Sequence, residues 1–249
     1  MSVLFQVRFP KGSLMSFWRP ERIRGEELLD SGAGSPEEIA ASLRDLRRIN
    51  RYLGGHRVSL IPMRRLVRSL SLEHLSLLDV ATGGADLPVA VARWAQQIHL
   101  PCRVVGLDIS SRHLAFAQES IRPFPGIRLV RADIERLPFA PSSFDFVNTS
   151  LFLHHVADAD VAQFLKTLLS LARVAVIIND LQRHWVPYFF LKLTQPLFAQ
   201  SRITQFDGFA SLRQGFTAGE MKSLAQDAGL ANISVTRRFP YRLAMVIPK

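Results

Sequence analysis

The sequence predicts an α/β domain that is built on a parallel sheet and is preceded by a helical extension. The chain has 249 residues, of which 48% are hydrophobic, so it is long enough to bury one large core. From Leu75 onward, short apolar runs alternate with amphipathic segments, a pattern typical of parallel strands joined by helices. We therefore place a helical arm or lid at 1–72 and the α/β domain at 73–249.

The first helix of the extension is predicted from its end signals. Ser35 is a suitable N-cap, Pro36 follows it, and Gly54 marks the end. Between them an apolar stripe recurs at helical spacing, formed by Ile39, Leu43, Leu46, Ile49 and Leu53. A second helix is expected over 57–70, with a break or kink at Pro62. The aromatic and basic segment 1–24 has no clean period and is expected to be an arm that orders on contact.

The α/β part is predicted to contain seven strands and four main helices. The strands are Leu75–Ala81, Arg103–Asp108, Ile127–Arg131, Phe144–Ser150, Val174–Asn179, Asn232–Arg237 and Arg242–Ile247. The helices are Leu87–Gln97, Ser111–Ser120, Ala159–Leu171 and Ala218–Ala228. The aromatic-rich stretch 182–216 is predicted to be an insertion that covers a substrate. Pro187 and Pro196 interrupt it too often for a membrane-spanning helix.

Composition and charge limit the kinds of partner. Lys and Arg number 31 against 21 Asp and Glu, which gives a net charge of +10 and a surface that attracts polyanions. The basic residues are scattered, however, so a nucleic-acid partner is not favoured. No apolar run reaches about 18 residues, no secretory signal is evident, and Cys102 has no partner for a disulfide or a zinc site. We expect a cytoplasmic protein that can contact anionic membranes peripherally.

The stretch LLDVATGGADLP, residues 77–88, predicts a strand, a glycine turn and a helix that begins at Leu87. Gly83 and Gly84 let a ligand approach the backbone of this turn closely. Asp108 ends the next strand in VVGLDIS, where an acid commonly binds the hydroxyls of a ribose. Its alternative role is to cap the following helix. The pattern favours a nucleotide-like cofactor at the carboxyl ends of the strands.

Four motifs in succession resemble those of class I S-adenosylmethionine-dependent methyltransferases, especially the branch that includes methyltransferases of quinone biosynthesis. They are LLDVATGGADLP, VVGLDIS, RADIERLPF and SSFDFVNTSLFLHHV, and they extend over about residues 75–156. The resemblance implies a Rossmann-like sheet of seven strands, doubly wound and mostly parallel, with the last strand antiparallel. It also implies S-adenosyl-L-methionine as the cofactor.

The resemblance assigns cofactor-binding roles by position. Asp79 orders the glycine loop and lies near the amino end of the cofactor's methionine, and Gly83 is the loop glycine nearest the cofactor. The further positions are Asp108 at the ribose hydroxyls, Ile109 and Ile134 beside adenine, Asp133 at the adenine amino group, and Asn148 to Leu151 along the methionine. The usual Gly-x-Gly-x-Gly is Ala81-x-Gly83-x-Ala85 here, which lowers the expected cofactor affinity, with Gly84 as a compensating neighbour.

Methyl transfer from a sulfonium is an in-line displacement, so alignment supplies much of the catalysis and no metal site is predicted. A phenol or enol acceptor needs a base, and histidine suits neutral pH. His154 and His155 follow the fourth strand and are candidates for the base or for a donor that orients the acceptor. Capping a loop and packing under the cofactor are their alternative roles. Asp180, after the fifth strand, is a third candidate, with Arg183 as its alternative ion-pair partner.

We expect a small lipophilic acceptor, phenolic or quinone-like, because aromatic residues are so frequent in 182–216. A dehydrogenase is disfavoured, since Asp86 opens the helix and would repel a pyrophosphate. An RNA methyltransferase is the alternative that the charge suggests, but NTSL at 148–151 differs from the Asn/Asp-Pro-Pro-Tyr/Phe pattern of many such enzymes. A cofactor-binding protein without catalysis is a further alternative, given the two alanines of the loop.

Overall fold

The computed structural model describes residues 20–32 and 34–249, apart from the side chains of 195–197. Most of the predicted arm at 1–24 therefore lies outside the described residues. The strands are β1 (Leu75–Val80), β2 (Cys102–Asp108), β3 (Ile127–Arg131), β4 (Phe144–Ser150), β5 (Ala172–Leu181), β6 (Ser234–Arg238) and β7 (Arg242–Pro248). The helices are α1 (Pro36–Tyr52), α2 (Gly55–Ser69), α3 (Asp86–Gln97), α4 (Ser111–Ile121), α5 (Asp158–Leu171), α6 (Trp185–Phe198), α7 (Arg202–Gln214) and α8 (Ala218–Asp227), with a 3₁₀ turn at Leu153–His155.

The seven strands form one sheet in the order β3-β2-β1-β4-β5-β7-β6. Strands β1 to β5 pair in parallel, and β7 is antiparallel to both β5 and β6. This confirms the predicted seven-stranded, mostly parallel sheet with an antiparallel last strand. The order reverses between β1 and β4, and such a reversal opens a crevice at the carboxyl ends of the strands.

Alternate residues of the central strands enter two separate cores, because successive side chains point to opposite faces of a sheet. Leu75 and Leu77 pack in the core that includes buried residues of α2, α3 and α4. Leu78 and Val80 pack in the other core, which includes buried residues of α5 and α8. Helices thus cover both faces of the sheet, and the strand ends are left to carry polar side chains.

The end signals of α1 act as predicted. Ser35 caps the helix and forms a capping box with Glu38. No break occurs at Pro62, since α2 runs without interruption from Gly55 to Ser69, and the alternative of a kink stays a prediction. The buried face of α2, which includes Val58 and Met63, packs on the sheet. This packing offsets the loss of the hydrogen bond that proline cannot donate.

The predicted insertion contains two helices, α6 and α7, that the sequence did not resolve. The predicted bounds of the other elements differ by one or two residues, and β5 is the most extended, at Ala172–Leu181. None of the helices within the described ranges combines the length and the apolar character that crossing a bilayer requires.

Candidate active site

A small cavity of about 110 Å³ lies at the carboxyl ends of β1 and β2. The loop after β1 lines the cavity, and so do Leu43 and Leu46 of α1. Of the predicted cofactor residues, the structure places Asp79, Ala81, Gly83, Gly84, Asp108 and Leu151 in its wall. The parallel register explains this grouping, because loops that follow adjacent parallel strands emerge at the same edge of the sheet.

Asp79 is the buried acid at the base of this cavity. It is opposite Asn148 in the β1–β4 register, and the Asn148 amide donates to Asp79 Oδ1 at 2.8 Å while the Thr82 hydroxyl donates to Oδ2 at 2.7 Å. Burial raises the pKa of Asp79 to about 7, against the opposing effect of these two hydrogen bonds. Asn148 Oδ1 is buried without a hydrogen-bond partner among the described residues, and Asn148 itself does not line the cavity.

The loop after β1 keeps a left-handed backbone at the three positions of the glycine pattern. The φ angles of Ala81, Gly83 and Ala85 are 55°, 52° and 56°. Alanine is strained in this conformation, whereas glycine is not. A Cβ built on Gly83 would meet only Leu43, at 3.8 Å, so the space beside this residue is open to a ligand. A Cβ on Gly84 would press on the Phe116 ring at 3.1 Å, so packing also requires that glycine.

Asp108 accepts two backbone hydrogen bonds, from Gly83 N at 2.8 Å and from Ser110 N at 2.9 Å. It therefore ties the loop after β1 to the start of α4. The capping role considered for Asp108 belongs to Ser110, whose hydroxyl accepts from the first turn of α4. The Nδ1 atom of His113 also lies 3.4 Å from Asp108 Oδ1.

The residues predicted to contact adenine lie beyond the small cavity. Ile109 is 62% exposed, and Asp133 is exposed and accepts from Glu135 N. Ile134 is half-buried and packs against one of the two cores. These positions stay predictions. None of the three lines the small cavity, whereas Asp79 and the loop do.

The acidic lining of the small cavity suits the cationic end of an amino-acid ligand. Asp79, Asp86 and Asp108 all line it, and three carboxylates would repel a pyrophosphate but attract an ammonium or a sulfonium. Asp86 also anchors the helical extension, because Asn50 and His56 hydrogen-bond to its Oδ2 at 2.9 and 2.7 Å. Together with the open space at Gly83, these carboxylates match the methionine end of S-adenosylmethionine.

A second, large cavity of about 770 Å³ adjoins the small one. Helices α1, α2, α6 and α7 and the β6–β7 turn supply most of its wall, which is mainly apolar. Leu29, Leu46 and Leu151 line both cavities, so the cavities meet at these residues. Leu151 has a φ of 56°, an unusual angle for a branched side chain, and such strain is often held at functional sites. A ligand in the large cavity would therefore lie next to one in the small cavity at these leucines.

His154 and Asp180 form a buried pair in the wall region of the large cavity. His154 Nδ1 lies 2.6 Å from Asp180 Oδ1, and the His154 backbone N–H donates to Asp180 Oδ2 at 3.0 Å. Burial opposes the charged imidazole, but the Asp180 and Glu27 carboxylates outweigh it and raise the pKa of His154 to about 10. The expected alternative partner of Asp180 is not used, because Arg183 pairs with Glu220 instead.

His155 is less buried and lies against two acids of the segment before α1. Its Nδ1 is 3.0 Å from Asp30 Oδ2, and its Nε2 is 3.8 Å from Glu27 Oε2. Burial, followed by the charge of His154, lowers the pKa of His155. Both predicted histidines and Asp180 are thus brought together, and the histidines line the large cavity.

Sequence reasoning missed the charged residues of the large cavity, of which Glu27 and Arg242 are buried or half-buried. Glu27 lies in an irregular segment and meets the histidines only through the tertiary fold. Arg242 begins β7 and is buried, and it donates to Asn50 Oδ1 at 2.8 Å. Burial lowers the pKa of Arg242 to about 10. Neither residue lies in a recognisable motif, so no signal in the sequence identified them.

Comparison with known proteins supports the assignment that the fold and the cavities suggest. A family model of a methyltransferase domain matches residues 77–174. Demethylmenaquinone methyltransferase from Staphylococcus carnosus (strain TM300) is 27% identical over 184 residues, which cover 69% of this chain and 75% of that protein. The enzyme of the same name from Lysinibacillus sphaericus (strain C3-41) is 23% identical over 188 residues, covering 67% and 77%.

Solved methyltransferases share the fold at low sequence identity. The carbon methyltransferase of CurJ is similar with a TM-score of 0.62 and 14% identity, covering 89% of this chain and 62% of that chain. Magnesium protoporphyrin IX methyltransferase from Synechocystis PCC 6803, crystallised with bound SAH, has a TM-score of 0.52 and 19% identity, covering 79% and 83%. The matched methyltransferase domain and the methyltransferase relatives support an S-adenosylmethionine-dependent methyltransferase whose cofactor is S-adenosylmethionine.

Proposed function

We propose that this methyltransferase methylates a small lipophilic acceptor, phenolic or quinone-like, that is bound in the large cavity. The observation that carries the proposal is the large apolar cavity of about 770 Å³, which shares a wall of three leucines with the small cavity. Its volume lies within the range of about 300–1,000 Å³ that is usual for small-molecule sites. The relatives named demethylmenaquinone methyltransferase support a quinone-like acceptor.

The residues of the two cavities divide the work of methyl transfer. S-adenosylmethionine, when bound, supplies a methyl group on a sulfonium sulfur. Asp79, Gly83 and Asp108 would hold the cofactor at the ends of β1 and β2, and the leucines between the cavities exclude water from the point of transfer. His154 and His155 both line the large cavity. His155, whose pKa is lowered, is the candidate base, and His154, whose pKa is raised to about 10, is a donor that orients the acceptor oxygen. Asp180 is a positioning residue that fixes the His154 ring.

We also propose that the acceptor enters from an anionic membrane surface at which the enzyme binds peripherally from the cytoplasm. Val186, Phe189, Phe190 and Leu193 form an exposed stripe along α6, with Phe189 64% and Leu193 81% exposed. Val186 and Phe190 also line the large cavity, as does Phe239, which is 92% exposed. Apolar side chains that are exposed at a cavity mouth suit insertion into the interface of a bilayer.

Exposed cations at the same mouth complement anionic headgroups. Arg51 and Arg57 line the cavity and are exposed, and Lys192 is exposed on α6. Each basic residue close to a charged membrane contributes about 1 kcal/mol of attraction. A lipophilic acceptor could then pass from the bilayer into the cavity without crossing water.

Vesicle sedimentation tests this surface. We expect the protein to bind vesicles that contain anionic lipid and to bind neutral vesicles weakly. The variant Phe189→Ser/Leu193→Ser should bind at least about tenfold more weakly, because burial of each of these side chains contributes about 1.5–3 kcal/mol. Phe206→Ser is the matched control, because Phe206 is 56% exposed but lies on α7 outside the large cavity. Equal sedimentation of the two variants would contradict the proposed surface.

A series of acceptors with lengthening alkyl or prenyl tails tests the acceptor class. Each buried methylene contributes about 0.8 kcal/mol, so kcat/KM should rise about three- to fourfold per methylene until the cavity is filled. The measurement is transfer of labelled methyl to each acceptor in mild detergent. Equal rates for a tailless, water-soluble phenol and its long-tailed analogue would exclude a lipophilic acceptor.

A further inference from the structure

A cluster of three side chains in the wall of the large cavity has the composition of a metal site. Glu27, His154 and His155 each present one ligand atom, and these atoms all lie within 4.8 Å of one another. All three residues line the large cavity. His154 is fully buried and the other two are half-buried, so the cluster is screened from solvent but accessible from the cavity.

Both imidazoles are held by a carboxylate on Nδ1, which directs Nε2 at Glu27. Asp180 Oδ1 is 2.6 Å from Nδ1 of His154, and Asp30 Oδ2 is 3.0 Å from Nδ1 of His155. Metal-binding histidines are usually held in this way, because the carboxylate fixes both the tautomer and the ring orientation. The two Nε2 atoms then lie 3.6 and 3.8 Å from separate oxygens of Glu27.

One of these nitrogens makes no hydrogen bond within the described residues, although it lies 3.6 Å from Glu27 Oε1. His154 Nε2 is buried and has no hydrogen-bond partner among the described residues. Such atoms are uncommon in native structures because leaving them unpaired costs about 1–3 kcal/mol. A ligand at this position would satisfy it.

Glu27 is fixed in place before any ligand arrives. Its Oε1 accepts from the Ser211 hydroxyl at 2.7 Å and from the Gln214 amide at 3.0 Å, both from α7. Further carboxylates surround the cluster, namely Asp30, Asp180 and Asp207. Four acids near two imidazoles leave an excess of negative charge, which attracts a cation.

We propose that Glu27, His154 and His155 bind one divalent transition-metal ion, with Zn²⁺ the best match, and that its open position faces the large cavity. Two imidazoles and one carboxylate are a usual zinc ligand set for a site that keeps a position free. Bonds of about 2.0–2.2 Å place tetrahedral ligand atoms about 3.3 Å apart. The ligand atoms of the three residues lie within 4.8 Å of one another, so they would have to move closer together to bind the ion.

The role of the ion in turnover rests on the proposed function, whereas its binding does not. An acceptor hydroxyl that binds the ion loses its proton to solvent water, and its oxygen keeps the electron pair of the O–H bond. The conjugate base so formed is the nucleophile for methyl transfer. The ion thus performs the activation that was expected of a histidine base.

Cobalt(II) titration of the tag-free, chelator-treated protein tests the site, because Co²⁺ bound to imidazole and carboxylate ligands absorbs visible light. We expect one Co²⁺ per chain, displaced by one equivalent of Zn²⁺. Glu27→Gln and His155→Ala should each weaken binding at least about 100-fold, and Asp30→Asn about 10–100-fold, since it removes only the carboxylate behind a ligand. Glu26→Gln and His74→Ala change exposed residues outside the cluster and should leave binding unchanged.

Two outcomes would overturn the proposal: folded wild-type protein that shows no visible bands with Co²⁺, or equal Co²⁺ affinity of Glu27→Gln and Glu26→Gln. The tests of site and function are separable. Metal binding without methylation of any lipophilic acceptor would overturn the proposed function and leave the site. Full methylation by chelator-treated protein that binds no Co²⁺ would overturn the metal site and leave the proposed function in place.

Discussion

The small and the large cavity are built in opposite ways. The small cavity is formed mainly by short loops at the ends of adjacent parallel strands, and most of its predicted residues belong to the motifs at 77–88 and 104–110. The large cavity is assembled from segments far apart along the chain, including the residues before α1, the helices of the insertion and the start of β7. Under the proposed function, cofactor binding is encoded locally, whereas acceptor binding depends on tertiary packing.

The largest expected effect separates the two cavities by function. His154→Ala should lower kcat by about 10²- to 10⁴-fold, because it removes the buried polar group that faces the acceptor. Affinity for S-adenosylhomocysteine should change less than about twofold, since His154 does not line the small cavity. Steady-state kinetics and calorimetry measure the two quantities, with His74→Ala as the exposed control. A wild-type kcat in both His154→Ala and His155→Ala would show that neither histidine takes part in methyl transfer.

The second prediction concerns the cofactor side alone. Asp108→Ala should weaken cofactor binding by about 1–3 kcal/mol, because charge-assisted hydrogen bonds to the ribose are lost. Asp108 also holds Gly83 N and Ser110 N, so the variant's melting temperature must be measured alongside the calorimetric titration. Unchanged affinity in a folded variant would exclude the ribose role.

The third prediction follows from the raised pKa of Asp79. Its carboxyl binds the cofactor's ammonium best when ionised, so affinity should fall by up to about tenfold per pH unit below pH 7 and level off above it. Burial is the main cause of the raised pKa, and nearby Asp86 and Asp108 add to it. The other titratable groups that face this region are His56, beside Asp86, and His113, beside Asp108.

Calorimetric titration with S-adenosylhomocysteine between pH 5.5 and 8 measures this dependence. Asp79→Asn is the matched control, because it keeps the side-chain shape and removes the titration. Its affinity should be lower at pH 7.5 and nearly independent of pH. The same slope in Asp79→Asn and wild type would assign the proton to another group.

The smallest effect concerns the strained loop. Ala81→Gly should stabilise the fold by about 0.5–1 kcal/mol, since a left-handed alanine costs about 1–2 kcal/mol and glycine adds back about 0.5–1 kcal/mol of chain entropy. Ala85→Gly should gain less, because its methyl is fully buried and removing it costs about 0.8 kcal/mol. Chemical denaturation of the two variants measures the difference. Destabilisation by Ala81→Gly would show that its methyl packs usefully.

Periodicity predicted the strand bounds, and the family resemblance of the motifs predicted the seven-stranded sheet and much of the small cavity. The order of Asp79, the loop and Asp108 follows the strands, so local sequence places them. Glu27 and Arg242 could not be predicted, because their neighbours His154 and Asn50 are distant in sequence and no repeat or motif relates them. Helices α6 and α7 were missed since the frequent aromatics and prolines of 182–216 obscure the helical period.

Labelled methyl transfer tests the central claim that the two cavities jointly methylate a lipophilic acceptor. The purified protein is incubated with methyl-labelled S-adenosylmethionine and, in parallel, with the hydroquinone form of demethylmenaquinone, a long-tailed phenol or total RNA. We predict label in the organic extract of at least one lipophilic acceptor, abolished in His154→Ala, and none in RNA. Label in RNA alone, or no lipophilic product from protein that binds the cofactor saturably, would contradict the account.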